Sequence, residues 1–492
     1  MQGSTRHSQL QWEAVLPEFI GRFRKSCFEN AFRFSRQTTM DGTALRADLN
    51  VVTCVPMRTQ SFLFVLLLGV CTAWALPQSP PESEPLPILV KAGKLLDVRK
   101  GSYIEKAGIW IEGGRIKDVG QASEILLHAP KNAKVIDLGG ATVLPGLIDC
   151  HTHLMARFAD TRDGYVLGLA TKSQAFRALE GAADARLTLQ AGFTTVRDVE
   201  SEGSGYADVA LRDAINQGLV EGPRMQVATR AIAAVGQYNP FGVSPDLVEF
   251  PTGAQMISGA EEARRAVREQ IGHGADLIKV YADWDYPTLT VEEMRVIVEE
   301  AHKAGRKVAA HATTPEGIKN AVIAGVDSIE HGHGADRQAI AMIKEKGIFL
   351  VPTVGGIDDL MEEHKNVQLT PEQRQRRDEF LRGIQEEIQQ AMSLGVKVAS
   401  GYDASRAGRH GKNAHELVGL VKRGLSPADP IRAATVNAAE LLGWQDRVGA
   451  VEAGKYADLV AVEGDPLVDI TVLGRVKFVM KGETVVKDEF HE

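Results

Sequence analysis

The sequence predicts an α/β protein: a TIM-like (β/α)8 barrel with a small β-sandwich domain built from its N- and C-terminal segments. Across residues 145–446, short apolar runs alternate with helical patterns, which is typical of repeated βα units around a parallel sheet. The flanking segments, 88–144 and 447–492, instead contain short alternating strands with glycine turns between them. Neither flanking segment makes a convincing sandwich alone, so we expect the two to pair.

The barrel prediction depends on eight strand-like runs, a number that fits a single barrel over this length. In chain order they are LPGLIDCHTHL, FTTVRDV, RMQVATR, DLIKVYADW, KVAAHATT, DSIEHG, IFLVPTV and VKVASGYDA. The helical runs between them have ordinary amphipathic patterns. One begins with a capping-box pattern, Thr290 to Glu293, and another extends from Pro371 to Leu394.

The first 87 residues are expected to lie outside the folded domains. Residues 57–75 have a charged start, a short apolar stretch and an Ala-Trp-Ala end, which is typical of a signal peptide for export to the periplasm or the medium. The apolar stretch is too short for stable membrane insertion. Residues 1–56 are interpreted as an over-long start assignment or a disordered extension, and residues 76–87 as a proline-rich linker.

Charge and cysteine content narrow the functional classes. The chain has a formal net charge of −8, and residues 1–75 contain eight Lys or Arg against five Asp or Glu, so the remainder carries −11. This acidity argues against a nucleic-acid partner. Of the four cysteines, only Cys150 falls in the predicted mature chain, which excludes an intrachain disulfide there. Its place on the strand, opposite to His151, favours a packed thiol.

Residues capable of binding metal stand at the ends of five of the eight runs. The first run ends in His151-Thr152-His153, and residues two apart on a strand point to the same face. Four other runs contribute Lys279, His311, His331 and Asp403. Since parallel barrels keep their active sites at the C-terminal ends of their strands, these side chains are expected to converge. Five histidines lack such a context and are interpreted as bystanders: His128, His273, His302, His364 and His415.

The order of these motifs resembles the amidohydrolase superfamily from about residue 87 to the C-terminus, and within it the prolidase-like relatives of imidazolonepropionase. The resemblance implies two zinc ions per chain, bound by His151, His153, Lys279, His311, His331 and Asp403, with carboxylated Lys279 as the bridge. In the alternative interpretation, Lys279 pairs with a barrel carboxylate and Asp403 caps the next helix.

The implied ligand set predicts a hydrolase of amide or peptide bonds. Zinc lowers the pKa of bound water to about 7, so a metal-bridging hydroxide would attack the carbonyl while Asp403 transfers the proton to the leaving amine. The implied substrates are small dipeptides or N-acyl amino acids, including aromatic acyl groups like that of ochratoxin. Hydrolysis or deamination of a cyclic amide, as in imidazolonepropionase, is the alternative. A scaffold protein without chemistry is the non-enzyme alternative, and the complete ligand set argues against it.

Three further residues are candidates for substrate binding. Tyr281 lies two residues beyond Lys279, where the resemblance implies a contact with the substrate's α-carboxylate; the alternative is a packing role at the barrel rim. Tyr238 stands in a long Gly/Pro-rich loop where many relatives have a histidine, and His410 belongs to a family-like RHGKNAHEL motif with either a site contact or a loop-stabilising role. Arg197 and Asp198 are expected to serve a structural ion pair. We also expect the substrate to be a small molecule or a short peptide, and the protein to form a homo-oligomer.

Overall fold

A computed structural model of the chain describes residues 86–159, 162–238, 251–284 and 286–491. The predicted N-terminal extension, the signal peptide and nearly all of the linker lie outside the described residues, as does most of the long loop that follows Tyr238. None of the helices in these ranges combines the length and the apolarity needed to cross a membrane.

Seventeen strands form within the described ranges. They are β1 (Ile88–Asp97), β2 (Ser102–Glu112), β3 (Arg115–Gln121), β4 (Lys134–Asp137), β5 (Thr142–Pro145), β6 (Leu147–Thr152), β7 (Phe193–Asp198), β8 (Arg224–Val227), β9 (Ala231–Ala234), β10 (Ala254–Ile257), β11 (Leu277–Tyr281), β12 (Lys307–Ala312), β13 (Ser328–His331), β14 (Phe349–Val351), β15 (Leu459–Val462), β16 (Phe478–Lys481) and β17 (Thr484–Asp488).

Thirteen α-helices accompany these strands in the same ranges. They are α1 (Ala122–Ile125), α2 (Arg162–Thr171), α3 (Gln174–Gln190), α4 (Ala207–Asn216), α5 (Ala260–Gly272), α6 (Val291–Lys303), α7 (Pro315–Ala324), α8 (Arg337–Lys346), α9 (Val354–Glu363), α10 (Pro371–Ser393), α11 (His415–Lys422), α12 (Ala428–Ala433) and α13 (Val436–Leu442). The capping box predicted at Thr290 is present at the start of α6, and Thr370 makes a second one before α10.

The two flanking segments meet in one mixed sheet of eight strands. Its order is β17-β16-β15-β5-β1-β2-β3, with β4 paired to β1. The join between the segments is the antiparallel pair β5 and β15, in which Leu144 lies opposite Val460. The β2–β3 hairpin turns at Gly113 and Gly114, both with positive φ, as a tight turn of this hand requires. Sequences from the two ends of the chain thus build one sheet.

The region between them consists of parallel sheets with helices packed against them, which confirms the α/β prediction. One sheet has the order β6-β7-β8 and the other β10-β9-β11-β12-β13-β14. The amide of Asp276, just before β11, donates a hydrogen bond of 2.8 Å to the carbonyl of Val227 at the end of β8. The main core lies between the second sheet and helices α5 to α8, where residues such as Ile278, Val308, Ile297 and Ile318 are buried.

Seven of the eight predicted runs are strands, and the eighth, VKVASGYDA, is extended without forming a ladder. It pairs with β14 through a single bridge at Val398, and the Cys150 amide in β6 donates to the carbonyl of Ser400 at 2.7 Å. The Ser400 amide, however, donates to the carbonyl of Ala433 instead of to a strand. That diversion explains why the run contacts both neighbours and still lacks a regular ladder. Two short strands that the sequence did not predict, β9 and β10, follow β8.

Candidate active site

His151 and His153, at the C-terminal end of β6, face a common carboxylate. The Nε2 atoms of His151 and His153 lie 3.9 and 3.3 Å from Oδ1 of Asp403, and the two ring centroids are 5.2 Å apart. Both imidazoles are buried, whereas the Asp403 side chain keeps 29% of its surface exposed. These three residues form a group whose ligand atoms all lie within 4.8 Å of one another, close enough to bind one metal ion.

His311 on β12 and His331 at the end of β13 extend this group across the neighbouring strands. The ring of His331 lies 4.9 Å from that of His151 and 4.7 Å from that of His311. Burial, together with the nearby Lys279 and His151, holds the pKa of His311 well below its usual value. Burial and neighbouring cations also hold the pKa of His331 well below its usual value, so both His311 and His331 favour the neutral form, which is the form that binds a metal ion.

Lys279 on β11 lies beside the histidines with its side chain almost completely buried. Within the described part of the chain, no carboxylate oxygen comes within 4.0 Å of its Nζ, so the alternative of a barrel ion pair has no support. Burial lowers the pKa of Lys279 despite the more distant charges of Glu330 and Glu200. A buried amine without an ion pair is unfavourable as an ammonium.

The donor atoms fit a divalent metal ion. Nδ1 of His151 is hydrogen-bonded to Glu330, and Nδ1 of His331 is hydrogen-bonded to the Thr353 hydroxyl at 2.8 Å. In both residues Nε2 therefore remains available to bind a metal ion. Nε2 of His311 is buried and has no hydrogen-bond partner among the described residues. At zinc sites, a histidine usually binds the metal through one ring nitrogen while its other ring nitrogen makes a hydrogen bond. The structure thus brings together all six residues that the sequence singled out.

Backbone strain is concentrated at this site. Three residues here adopt a left-handed conformation without being glycine: His331 at φ 66°, Thr353 at φ 54° and Asp403 at φ 60°. Such a conformation costs about 1–3 kcal/mol for each residue and is found mainly at functional sites. Asp403 is held in it by the hydrogen bond of 2.7 Å from its amide to the carbonyl of His151. Asp403 is not the N-cap of a helix, which removes the structural alternative considered for it.

Glu330 and Arg197 support His151 from behind. Glu330 accepts from Nδ1 of His151 at 2.7 Å and from the Arg197 guanidinium at 2.7 Å, and all three residues are buried. Burial alone would raise the pKa of Glu330, but Arg197 and the His151 hydrogen bond hold it well below its usual range. Arg197 therefore pairs with Glu330, and the expected pair of Arg197 with Asp198 is wrong, because neighbouring residues on a strand point to opposite faces. Asp198 points to the opposite face of β7 and accepts from the amide of Leu154 at 2.7 Å.

A second buried carboxylate, Asp149, ties β6 to the segment around Asp403. It accepts hydrogen bonds from the amides of His151 at 2.9 Å and Tyr402 at 3.2 Å, and from Nδ2 of Asn413 at 2.6 Å. Burial raises the pKa of Asp149 to about 6 against these three donors. The sequence analysis singled out neither Asp149 nor Glu330. Asn413 belongs to the RHGKNAHEL motif, so its position near the site could have been predicted from the sequence.

The candidate substrate residues occupy two different places. The hydroxyls of Tyr281 and Tyr238 both donate to Glu200, and the Tyr281 ring lies 5.0 Å from that of His311, beside the metal-binding group. His410, in contrast, has its Nε2 3.2 Å from the carbonyl of Ala156 and 3.6 Å from Asp184, contacts that match a loop-stabilising role.

One further histidine near the site, His333, was not singled out from the sequence. His333 is partly buried, with its ring 5.7 Å from that of His331, and its Nε2 contacts the carbonyl of Pro352 at 2.5 Å. Its place two residues after His331 was a signal in the sequence. The histidines interpreted as bystanders contact other groups: His128 contacts Asp118, His302 contacts Asp327, and His415 contacts Asp359.

Parallel strands that bring four histidines, a buried lysine and an aspartate to one edge define a metal-dependent hydrolase. Comparison with known proteins identifies the group. The model of the amidohydrolase family matches residues 142–486, and the chain belongs to that family. The enzyme is accordingly a metal-dependent hydrolase of C–N bonds.

Three relatives show which members of the family are similar. The chain is 33% identical over 366 residues to an ochratoxinase of Aspergillus niger, covering 68% of this chain and 73% of that one. It is 28% identical over 421 residues to an imidazolonepropionase of Symbiobacterium thermophilum, covering 76% and 90%. A solved structure of a Xaa-Pro dipeptidase with methionine bound in its active site matches with a TM-score of 0.73 and 33% identity, covering 82% of this chain and all of that one.

Proposed function

We propose that the protein is a binuclear zinc amidohydrolase that cleaves the amide bond of small dipeptides or N-acyl amino acids. The single observation that carries the proposal is the convergence of His151, His153, His311, His331 and Asp403 around the buried Lys279. A site for one metal ion would need no lysine at this position, whereas a two-metal site needs an anionic bridge between its cations.

The metal ligands would divide as the resemblance implies. His151, His153 and Asp403 surround one position, and His311 and His331 lie on the side of a second. Carboxylation of the Lys279 amine would convert a buried cation without an ion pair into an anion between the two ions. When bound, the zinc ions would lower the pKa of water and polarise the amide carbonyl.

The chain's own residues would supply the proton transfers. Asp403 is the carboxylate next to both histidines of β6, and part of its side chain is exposed. It would therefore accept a proton from water and donate that proton to the leaving amine. Glu330 and Arg197 hold the ring of His151 in position. Asp149 fixes the backbone at both His151 and Tyr402, next to Asp403, so that the two metal-binding segments keep their spacing.

The relatives support the choice of substrate class. Ochratoxinase and Xaa-Pro dipeptidase are both names for hydrolases of amide bonds, and both relatives are 33% identical to this chain. The less identical imidazolonepropionase supports the alternative, a cyclic amide. We also propose the closed eight-stranded barrel and the β-sandwich expected for the family, a homo-oligomeric state, and export through residues 57–75. The mass of the exported chain would reveal cleavage after Ala75.

A substrate screen with metal control tests the proposed reaction. Purified full-length chain, with added zinc and bicarbonate, is assayed against Xaa-Xaa dipeptides, N-acyl amino acids and cyclic amides. We expect release of a free amino acid and its loss on chelation. If only the cyclic amides are hydrolysed, the result would contradict the proposed activity on linear amides and favour the imidazolonepropionase-like alternative.

An Asp403→Asn variant provides the control for the mechanism. The amide keeps the shape of the side chain and cannot act as a base, so we expect a loss of about 10²–10⁴-fold in kcat. Elemental analysis of the same preparations reports the metal content. A stoichiometry below about one zinc per chain in the active wild-type enzyme would refute the two-metal site.

A further inference from the structure

Helix α9 begins without the cap that its own sequence offers. Its N-cap residue is Thr353, and a threonine at this position usually accepts a hydrogen bond from one of the first helical amides through its hydroxyl. Here the backbone of Thr353 is left-handed, with φ 54°, and its side chain makes no capping hydrogen bond. The hydroxyl lies instead 2.8 Å from Nδ1 of His331. The start of α9 and His331 therefore compete for one hydroxyl group.

A carboxyl group from another helix supplies the missing cap. Oε2 of Glu416, near the start of α11, accepts a hydrogen bond of 2.6 Å from the amide of Gly355, the second residue of α9. Glu416 is completely buried. Because Glu416 satisfies this amide, the hydroxyl of Thr353 is not needed there and stays with His331.

The close packing of α9 against α11 fixes this contact. A Cβ on Gly355 would come within 2.5 Å of the amide nitrogen of Glu416. A Cβ on Gly419 would likewise come within 3.3 Å of the amide nitrogen of Gly355. Leu420, on the same helix, is buried in an apolar cluster with Val354. The two glycines therefore let the helices approach until the Glu416 carboxyl reaches the first turn of α9.

The hydroxyl of Thr353 affects the metal-binding group through the tautomer of His331. A neutral imidazole has one N–H group and one lone pair on its two nitrogens. When Nδ1 donates to Thr353, the lone pair is on Nε2, the atom that remains available to a metal ion. Hydrogen bonds of this kind fix both the tautomer and the ring orientation of a metal-binding histidine. Without its partner, His331 would be free to rotate or to carry its proton on Nε2.

We propose that Glu416 is a positioning residue for His331: by capping α9 in place of Thr353, it leaves the threonine hydroxyl to hold His331 in the form that binds the second metal ion. The inference rests on the proposed two-metal site and deepens it. Glu416 acts through Gly355 and Thr353, so it is not a catalytic residue.

The two metal positions should respond differently to the loss of Glu416. His331 and His311 lie on the side of the second position, and His331 depends on Thr353. His151, at the first position, has its Nδ1 hydrogen-bonded to Glu330 instead. Removal of Glu416 should therefore weaken the second position and spare the first.

Zinc titration of the metal-free full-length chain in bicarbonate buffer, with free zinc set by a chelator, tests the inference. We expect the wild type to bind two ions. Glu416→Ala should bind the second ion about 10–100-fold more weakly, the usual effect of removing the partner of a metal-binding histidine, and the first ion as the wild type does. Burial raises the pKa of Glu416 well above its usual value, so Glu416→Gln keeps both the neutral charge and the accepting oxygen and should bind both ions normally.

Two further variants separate positioning from general stability. Thr353→Val removes the hydroxyl and should cause the same loss, and adding Glu416→Ala to it should cause no further loss, because both changes act on one hydrogen bond. Leu420→Ala is the matched control. It opens a cavity in the same α9–α11 interface, so it should lower the urea midpoint of the metal-free chain and leave both zinc affinities unchanged.

Three results would overturn the inference: Glu416→Ala binds the second ion as tightly as the wild type, the losses add in the double variant, or Leu420→Ala loses as much zinc affinity as Glu416→Ala. Each of these leaves the amidohydrolase proposal intact, provided that the wild type binds two ions. A wild type that binds a single ion would refute the two-metal site, and this inference with it.

Discussion

The Arg197→Met substitution is expected to destabilise the protein strongly although Arg197 contacts no substrate. The guanidinium is 2% exposed and donates three hydrogen bonds: to the carbonyl of Cys150 at 2.5 Å, to Oγ of Ser328 at 3.1 Å and to Glu330 at 2.7 Å. Methionine fills much of the volume but leaves the Glu330 carboxylate buried without its countercharge. Breaking such a buried pair costs about 3–5 kcal/mol.

The double variant tests the reason for this loss. In Glu330→Gln the buried charge is absent, so the added Arg197→Met should cost less than it does alone, with a coupling energy of roughly 2 kcal/mol. Urea unfolding of the metal-free chains, followed by tryptophan fluorescence, gives the free energies of unfolding.

An exposed arginine provides the control. Arg99 pairs with Glu452 at 2.8 Å while half of its side chain is exposed, so Arg99→Met should cost less than about 1 kcal/mol. A loss at Arg197 as small as the loss at Arg99, or a coupling energy near zero, would refute the argument that Glu330 depends on Arg197 for its charge.

Three further predictions address the bridge, the packing and the titration of the site region. Lys279→Ala should lose bound zinc and activity together; full metal content by elemental analysis would contradict the bridge. Gly401→Ala would place a Cβ 2.6 Å from that of His151, so we expect the free energy of unfolding to fall by about 1–3 kcal/mol and zinc binding to weaken. The control is Gly383→Ala, whose Cβ would have nothing within 4 Å; in urea unfolding it should be neutral or stabilising by up to ~1 kcal/mol. Burial raises the pKa of Asp208 to about 6, so the contribution of Asp208 to stability should fall as pH rises from about 4 to 6. The stability of Asp208→Asn relative to wild type should therefore rise by roughly 2–3 kcal/mol across that window, and parallel pH profiles in urea unfolding would contradict the assignment.

The sequence alone was sufficient to predict seven of the strands between the flanking segments and the strand ends at which the candidate site residues lie, but not the short strands β9 and β10. The period of a strand places His151 and His153 on one face, and the capping-box pattern at Thr290 locates the start of α6. These are local properties, because the backbone period of a strand or helix is set by neighbouring residues. The strand predicted at VKVASGYDA does not form a regular ladder, because the Ser400 amide donates to the carbonyl of Ala433, which lies at the end of a helix further along the chain. A local pattern cannot predict such a contact.

Only the tertiary structure decided which side chains are partners. Glu330 meets His151 across 179 residues of sequence and Arg197 across 133, and Glu200 meets Tyr281 across 81. A strand's period tells which face a side chain takes, but the partner on the next strand depends on register and on how the sheets pack. The candidate ligands could therefore be proposed from sequence, whereas the residues that hold them in place, and the partners of the tyrosine hydroxyls, follow from contacts that form only when the chain folds.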